Sequence, residues 1–157
     1  WLIPLYREAA DLVDRAGFGT TIENGTGNSL ITSPREIVDF FKLLGQRERI
    51  CFGWDVQDLW QCGTFPSPDV YQALKGLIGY CHVKGGQHGP TSKSLRWRSA
   101  LEDASWPVER VTHQVAREGV SPVICLRPSR GAPKPDYQYE TIAERDIAFL
   151  RKVLAGA

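Results

Sequence analysis

The sequence predicts an α/β protein in which four parallel strands alternate with five helices. Three observations lead to this prediction. Apolar residues recur at helical spacing in five segments, short and mostly apolar runs lie between those segments, and glycine or proline marks most of the boundaries. Alternating helices and strands are typical of βαβ units, whose strands are parallel. The 157 residues suffice for one sizeable core, so we expect a single domain over residues 1–157.

The first half of the chain predicts two helices and two strands. The segment LIPLYREAADLVDRAG (2–17) has the apolar spacing of a helix, and a β-branched strand follows near 19–24. The segment TSPREIVDFFKLLG (32–45) has Ser33 as its N-cap and a proline at the first helical position, so it is the second helix. The mostly apolar run RICFGWD predicts a strand near 50–55 that is buried on both faces.

The second half repeats this alternation. The predicted elements are, in order, the helix PDVYQALKGL (68–77), a strand near 79–84, the helix PVERVTHQVAREG (107–119), a strand near 122–127 and the helix IAERDIAFLRKVLAG (142–156). Long polar loops, near 85–104 and 130–140, follow the third and fourth strands. Because loops beyond the carboxyl ends of the strands carry the chemistry in α/β folds, we expect the functional site there.

Ionisable residues stand at the carboxyl end of every predicted strand. They are Glu23, Asp55, the pair His82 and Lys84, and Arg127. A buried charge costs several kcal/mol unless it is paired or bound to a cation. Four such ends at one edge of a sheet therefore indicate a shared site. Carboxylates and neutral imidazole are ligands for Mn²⁺, Mg²⁺, Co²⁺ or Zn²⁺.

Composition argues against several classes of partner. The formal net charge of +1 gives no reason to expect nucleic acid or an anionic membrane, and no apolar run approaches the roughly 20 residues of a membrane span. The four cysteines form no CxxC pair and are expected to be reduced thiols. We therefore expect a cytoplasmic protein.

The motifs TIEN, GWDVQD and CHVKG resemble the metal-binding strands of the xylose isomerase-like TIM barrels. That superfamily contains sugar-phosphate isomerases and epimerases as well as endonuclease IV-type enzymes. Its sugar epimerases bind a divalent metal with Glu, Asp, His and Glu on strands five to eight. The separations of 32 residues from Glu23 to Asp55 and 27 from Asp55 to His82 suit that pattern. The resemblance implies that these three residues are metal ligands.

The resemblance also implies that the chain is the C-terminal half of a TIM (β/α)₈ barrel, with about four βα units. A full barrel needs eight strands, and the four here match the last four. The chain begins at Trp1 and contains no methionine, as we expect of a processed chain or of a piece of a longer one. Four strands alone would leave two open edges. The expected partner is an N-terminal half-barrel or a second copy of the chain.

The implied function belongs to carbohydrate metabolism: a metal-dependent isomerase or epimerase acting on a sugar or sugar-derived molecule. In such enzymes the metal holds adjacent hydroxyl and carbonyl oxygens, and a metal-bound enediolate forms when a base removes the neighbouring proton. Glu23 is the expected base, and Lys84 is a candidate for the second proton-transfer group.

Two departures from the family pattern keep a second interpretation open. Arg127 stands where the fourth ligand, a glutamate, is usual, and Asp58 stands where many relatives have a histidine. Either Lys84 or Asp103 supplies the second acid, or the reaction differs, or the activity is lost. Gln57, Asp58 and Arg127 are expected to contact substrate, and Arg127 could bind a substrate carboxylate or phosphate. Arg127 could also replace the metal's charge by pairing with the carboxylates. The alternative is a non-catalytic or regulatory half-barrel that has lost the fourth ligand.

Overall fold

The computed structural model describes residues 2–27, 29–45 and 49–156, which form a layer of helices on a parallel sheet. The helices are α1 (Leu2–Arg15), α2 (Pro34–Leu44), α3 (Val56–Gln61), α4 (Pro68–Leu74), α5 (Val108–Glu118) and α6 (Tyr139–Ala155). The strands are β1 (Thr20–Glu23), β2 (Ile50–Asp55), β3 (Ile78–Val83), β4 (Gln87–His88), β5 (Leu95–Trp97) and β6 (Ile124–Leu126).

The main sheet contains the four strands that the sequence predicts. Their order is β1-β2-β3-β6, and every neighbouring pair is parallel. Asp55 on β2 lies opposite His82 on β3, which in turn lies opposite Cys125 on β6. The carboxyl ends of all four strands therefore meet at one edge of the sheet. The predicted fold class, four βα units of a barrel, is confirmed.

The helices pack on one face of the sheet and bury the aromatic side chains of β2. Phe52 of β2 contacts Phe41 of α2 with ring centroids 6.0 Å apart. Trp54, two residues further on, stacks on Tyr71 of α4 at 6.2 Å. Residues two apart in a strand point to the same face, so this alternation fixes which side of β2 meets the helices.

The opposite face of the sheet is open in this chain. On β1 the residues alternate between half-buried and exposed, and Thr21 and Glu23 are the exposed ones. Cys51 beside Thr21 and Tyr80 on β3 are only partly buried. This is the face that would point into the interior of a closed barrel.

One short helix and one two-stranded hairpin occur where the sequence predicts loops. Helix α3 follows β2 without a break, and Val56 to Trp60 are all buried, so its sequence has no amphipathic stripe that periodicity could reveal. Strands β4 and β5 form an antiparallel hairpin inside the predicted loop 85–104. The last helix begins at Tyr139, three residues before the predicted start.

None of the helices in the described part of the chain is both long and apolar enough to cross a membrane. The four cysteines are free thiols.

Candidate metal and ligand site

Glu23, Asp55 and His82 converge at the carboxyl edge of the sheet, as the sequence predicts. One ligand atom from each lies within 4.8 Å of the others. The His82 Nδ1 atom is 3.0 Å from Glu23 Oε1 and 3.6 Å from Asp55 Oδ2. We call these three residues the triad. That the triad binds a metal stays a prediction.

Asp55 is fixed by two sets of hydrogen bonds. Its Oδ1 atom caps α3 by accepting the backbone N–H groups of Gln57 and Asp58, each at 3.0 Å. The side-chain amide of Asn24 donates to the Asp55 carbonyl oxygen at 3.0 Å and accepts its N–H at 2.9 Å. The side chain of Asn24 thus holds the backbone of β2 where β1 has ended. The second carboxylate oxygen of Asp55, Oδ2, faces His82 and Lys84.

Lys84 is a buried cation beneath the triad. Only 2% of its side chain is exposed, and its Nζ atom pairs with Asp55 Oδ2 and lies 3.5 Å from Asp58 Oδ1. The backbone carbonyl of Lys84 accepts a hydrogen bond from Trp106 Nε1 at 3.1 Å. The next residue, Gly85, leaves no room for a side chain, because a Cβ atom there would lie 2.0 Å from the Ser99 carbonyl oxygen. The glycine after Lys84 therefore lets the chain pass close to the backbone of Ser99 and Ala100.

Arg127 reaches the middle of the triad. Its Nη1 atom lies 3.1 Å from Glu23 Oε1, 3.2 Å from His82 Nδ1 and 3.7 Å from Asp55 Oδ2. A guanidinium nitrogen therefore lies where a cation bound by all three residues would lie. The side chain is 44% exposed, so it borders on solvent. This geometry agrees with the interpretation that Arg127 can replace the positive charge of a metal.

Gln57 joins the loops that follow β3 and β6. Its Nε2 atom donates to the Gly85 carbonyl and, at 2.9 Å, to Ser129 Oγ, while its Oε1 atom accepts the Arg130 N–H at 2.6 Å. The side chain is fully buried. Through these contacts Gln57 holds the two loops together in this structure. Its contact with substrate stays a prediction.

Asp58 is a second buried carboxylate beside Lys84. Burial and repulsion from Asp55 raise the pKa of Asp58, and the nearby Lys84 and Arg130 oppose that rise. Arg130 Nε lies 3.3 Å from Asp58 Oδ1. Sequence reasoning missed Arg130 and Asn24. Both follow a strand end, but nothing in the sequence specifies which neighbour they meet.

Asp103 lies elsewhere. Its Oδ2 atom accepts a hydrogen bond from Arg145 Nη2 of α6 at 2.9 Å, and its carbonyl oxygen accepts one from Gln87 Nε2. No contact between Asp103 and the triad is found among the described residues.

The donor set of the triad suits a divalent metal, with one condition. Two carboxylates and an imidazole are common ligands of Mn²⁺ and Zn²⁺, and ligands about 2.1 Å from one ion can be at most about 4.2 Å apart. The separations from His82 Nδ1 to Glu23 Oε1, 3.0 Å, and to Asp55 Oδ2, 3.6 Å, both lie within this limit. Arg127 must leave, because its guanidinium occupies the same space and repels a cation.

Several TIM-barrel structures resemble this chain. A xylose isomerase-like TIM barrel protein from Mycobacterium smegmatis, in complex with magnesium, matches with a TM-score of 0.73 and 15% identity over 98% of this chain and 49% of that one. The probable 3-DHS dehydratase AsbF from Bacillus anthracis matches with a TM-score of 0.70 and 13% identity over 95% and 55%. An L-ribulose 3-epimerase matches with a TM-score of 0.67 and 12% identity over 98% and 53%. No family model matches the sequence, and no curated protein matches it.

The chain therefore has the fold of one half of a xylose isomerase-like TIM barrel. It spans about half the length of the structures that it matches. Since a dehydratase and an epimerase share this fold, the fold alone does not define the reaction, and the function must be argued from the site.

Proposed function

We propose that this chain is half of a divalent-metal-dependent isomerase or epimerase that acts on a sugar or a sugar-derived molecule. The observation that carries the proposal is the convergence of Glu23, Asp55 and His82 within 4.8 Å at the carboxyl edge of a parallel sheet. Sugar epimerases among the matched structures support the choice of substrate class.

In this proposal the triad holds a divalent ion of the group Mn²⁺, Mg²⁺, Co²⁺ and Zn²⁺. A bound ion would polarise the carbonyl group of the sugar and stabilise the negative charge of an enediolate. Glu23 takes the proton next to the carbonyl, because it is the most exposed carboxylate of the site. Asp55 is fully buried and keeps its orientation through the hydrogen bonds of α3 and Asn24.

The return of the proton needs a second group, for which Lys84 and Asp103 are the sequence-based candidates. The contacts of Lys84 with Asp55 and Asp58 favour a charge-balancing role for its ammonium group. Asp103 is paired with Arg145 in this chain. We therefore propose that a complementary half-barrel supplies the missing acid. Arg127, Gln57 and Asp58 remain proposed substrate contacts.

The partner in this proposal closes the barrel. Within the described chain, β1 and β6 each pair on one side only, and the inner face of the sheet is open. An N-terminal half-barrel or a second copy of this chain would pair with both edges. A cytoplasmic location stays a prediction, with which the four free thiols agree.

A second candidate function rests on Arg127. Because its Nη1 atom lies within 3.7 Å of a ligand atom of every triad residue, the guanidinium can take the place of the metal permanently. The chain would then be a non-catalytic or regulatory half-barrel that keeps the geometry of the site without its chemistry.

Calorimetric titration of Mn²⁺ into the unmodified protein distinguishes these two functions, because the metal-dependent function requires measurable binding and the non-catalytic half-barrel requires none. We expect weak binding to the unmodified protein and at least about tenfold tighter binding to Arg127→Glu, which removes a positive charge and adds a carboxylate ligand. Arg110→Glu makes the same charge change at an exposed position of α5 and should bind like the unmodified protein. Absence of Mn²⁺ binding in both the unmodified protein and Arg127→Glu would contradict the metal-dependent function.

A further inference from the structure

The loops that follow β3 and β6 carry an excess of positive charge. Residues 84–104 contain Lys84, Lys93, Arg96 and Arg98 against Glu102 and Asp103. Residues 127–138 contain Arg127, Arg130 and Lys134 against Asp136. The net charge of the whole chain is only +1, so this excess is local. Both loops leave the sheet at the edge where the triad lies.

Backbone hydrogen bonds join the two loops into one unit. The Arg98 N–H donates to the Ala132 carbonyl, and the Ala132 N–H donates to the Arg96 carbonyl, both at 2.9 Å. The side chain of Gln57 holds the start of both loops from below. The start of the β6 loop, with Arg127 and Arg130, therefore lies beside Asp55 and Asp58, at the edge that we call the mouth of the half-barrel.

Arg127 and Arg130 flank a row of buried charges within this mouth. Arg127 contacts Asp55, Asp55 contacts Lys84, Lys84 contacts Asp58, and Asp58 contacts Arg130. The two arginine side chains are 44% and 49% exposed, whereas the three residues between them are buried. Each guanidinium has five N–H donors in a planar fork that matches a phosphate or carboxylate group. Both arginines thus present unused donors to solvent from the two ends of the row.

The charges of the site are balanced as they stand. Three carboxylates, Glu23, Asp55 and Asp58, face the three cations Lys84, Arg127 and Arg130. A divalent cation added to this set leaves two positive charges without partners. An anionic group on the ligand would compensate for them.

We propose that the ligand carries a phosphate or carboxylate group, that Arg127 and Arg130 bind this group, and that Arg127 thereby leaves the triad free for the metal. This inference rests on the proposed metal-dependent function. In the absence of the anion, Arg127 fills the triad and competes with the metal. In its presence, Arg127 turns from the triad to the anion that Arg130 also binds, which removes the competing charge.

Thermodynamic linkage makes the consequence measurable. If the anion releases the triad, then the anionic ligand and the metal tighten the binding of each other by the same factor. Couplings of this kind are typically about 5–150-fold in affinity. A ligand without a negative charge cannot draw Arg127 away and should have no such effect.

The test is a calorimetric titration of Mn²⁺ into the protein with D-ribose 5-phosphate, D-ribonate or D-ribose present at matched ionic strength, with free Mn²⁺ measured in each solution. We expect the phosphate, the carboxylate or both to tighten Mn²⁺ binding at least about fivefold, and neutral D-ribose to leave it unchanged. The first two ligands distinguish a phosphate-binding from a carboxylate-binding site.

Two variants separate the roles of the arginines. Arg127→Gln should bind Mn²⁺ tightly without any anion and lose most of the effect of the anion. Arg130→Gln should bind Mn²⁺ as weakly as the unmodified protein and lose part of the anion effect. Arg110→Gln, on the exposed surface of α5, is the matched control and should behave like the unmodified protein.

The outcomes distinguish this inference from the proposed function. Mn²⁺ binding that is equally strong with and without the anions overturns the inference and leaves the metal site standing. A tightening that D-ribose produces as strongly as D-ribose 5-phosphate also overturns it. Absence of Mn²⁺ binding in every variant, with every ligand, overturns the metal-dependent function and the inference together.

Discussion

The central strands and the edge strands of the sheet supply different halves of the site. Asp55 and Lys84, at the ends of the central strands β2 and β3, are buried, and their positions are fixed by neighbouring backbone groups and carboxylates. Glu23 and Arg127, at the ends of the edge strands β1 and β6, are more than one third exposed. Their side chains contact each other, Asp55 and His82.

This difference indicates that the central half of the site is preorganised and that the edge half is adjustable. A buried ion pair with several hydrogen bonds keeps one geometry, because each alternative leaves a charge unpaired in the interior. An exposed pair loses little when it separates, because water replaces the lost contacts. Arg127 lies in the adjustable half, so its movement from the triad to a ligand costs less free energy than the movement of a buried residue would.

Removal of the Asp55 carboxylate is expected to have the largest effect on stability. Asp55→Ala leaves the ammonium of Lys84 in the interior with only Asp58 nearby, and it removes the cap of α3. Breaking a buried ion pair costs about 3–5 kcal/mol. Glu23→Gln, which changes a carboxylate at the edge, should cost about 0–1 kcal/mol. Urea unfolding of both variants measures the two changes.

The double variant Asp55→Ala/Lys84→Met provides the internal control for this prediction. If the cost comes from the unpaired ammonium, removal of both charges should recover a substantial part of the lost free energy of unfolding. Equal losses in Asp55→Ala and Glu23→Gln would contradict the proposed difference between the centre and the edge.

Asn24 tests the comparison between the central and the edge strands, because it follows the edge strand β1 and is nevertheless buried. Its amide makes two hydrogen bonds with the backbone of Asp55, and its side chain is buried. Asn24→Ala would leave a buried N–H and a buried carbonyl without these partners, which we expect to cost about 1–3 kcal/mol. Thermal and urea unfolding, with Glu23→Gln one residue earlier as the control, check this value. A loss no larger than that of Glu23→Gln would show that the Asn24 amide is replaceable by water.

The sequence predicted the parts of the fold that depend on local patterns. The apolar runs predicted β2 as it is found, Ile50–Asp55, and β3 within one residue. The predicted cap of α2 is also found: Ser33 Oγ accepts the Glu36 N–H at 3.3 Å. The convergence of Glu23, Asp55 and His82 followed from the parallel order of the strands together with the family resemblance.

The remaining features depend on contacts between distant segments. The hydrogen bonds of Asn24 join residues 31 positions apart, and those of Gln57 with the β6 loop join residues 72 and 73 positions apart. No local pattern predicts these partners. Helix α3 was missed for a related reason: its residues are buried on every side by the surrounding fold, so the usual alternation of polar and apolar residues is absent.

The smallest expected effect is the coupling between Glu23 and Arg127, and it tests the adjustable half directly. Their side chains are 37% and 44% exposed, and the Oε1–Nη1 distance is 3.1 Å. A double-mutant cycle with Glu23→Gln and Arg127→Gln should give a coupling energy of about 0.2–1 kcal/mol. The coupling should fall further in 1 M NaCl, where the Debye length is about 3 Å. A coupling above about 2 kcal/mol that persists in salt would mean that Arg127 is held as firmly as Lys84. Arg127 could not then leave the triad at the low cost that the anion exchange requires. The coupling energy therefore also measures how strongly Arg127 opposes the entry of a metal.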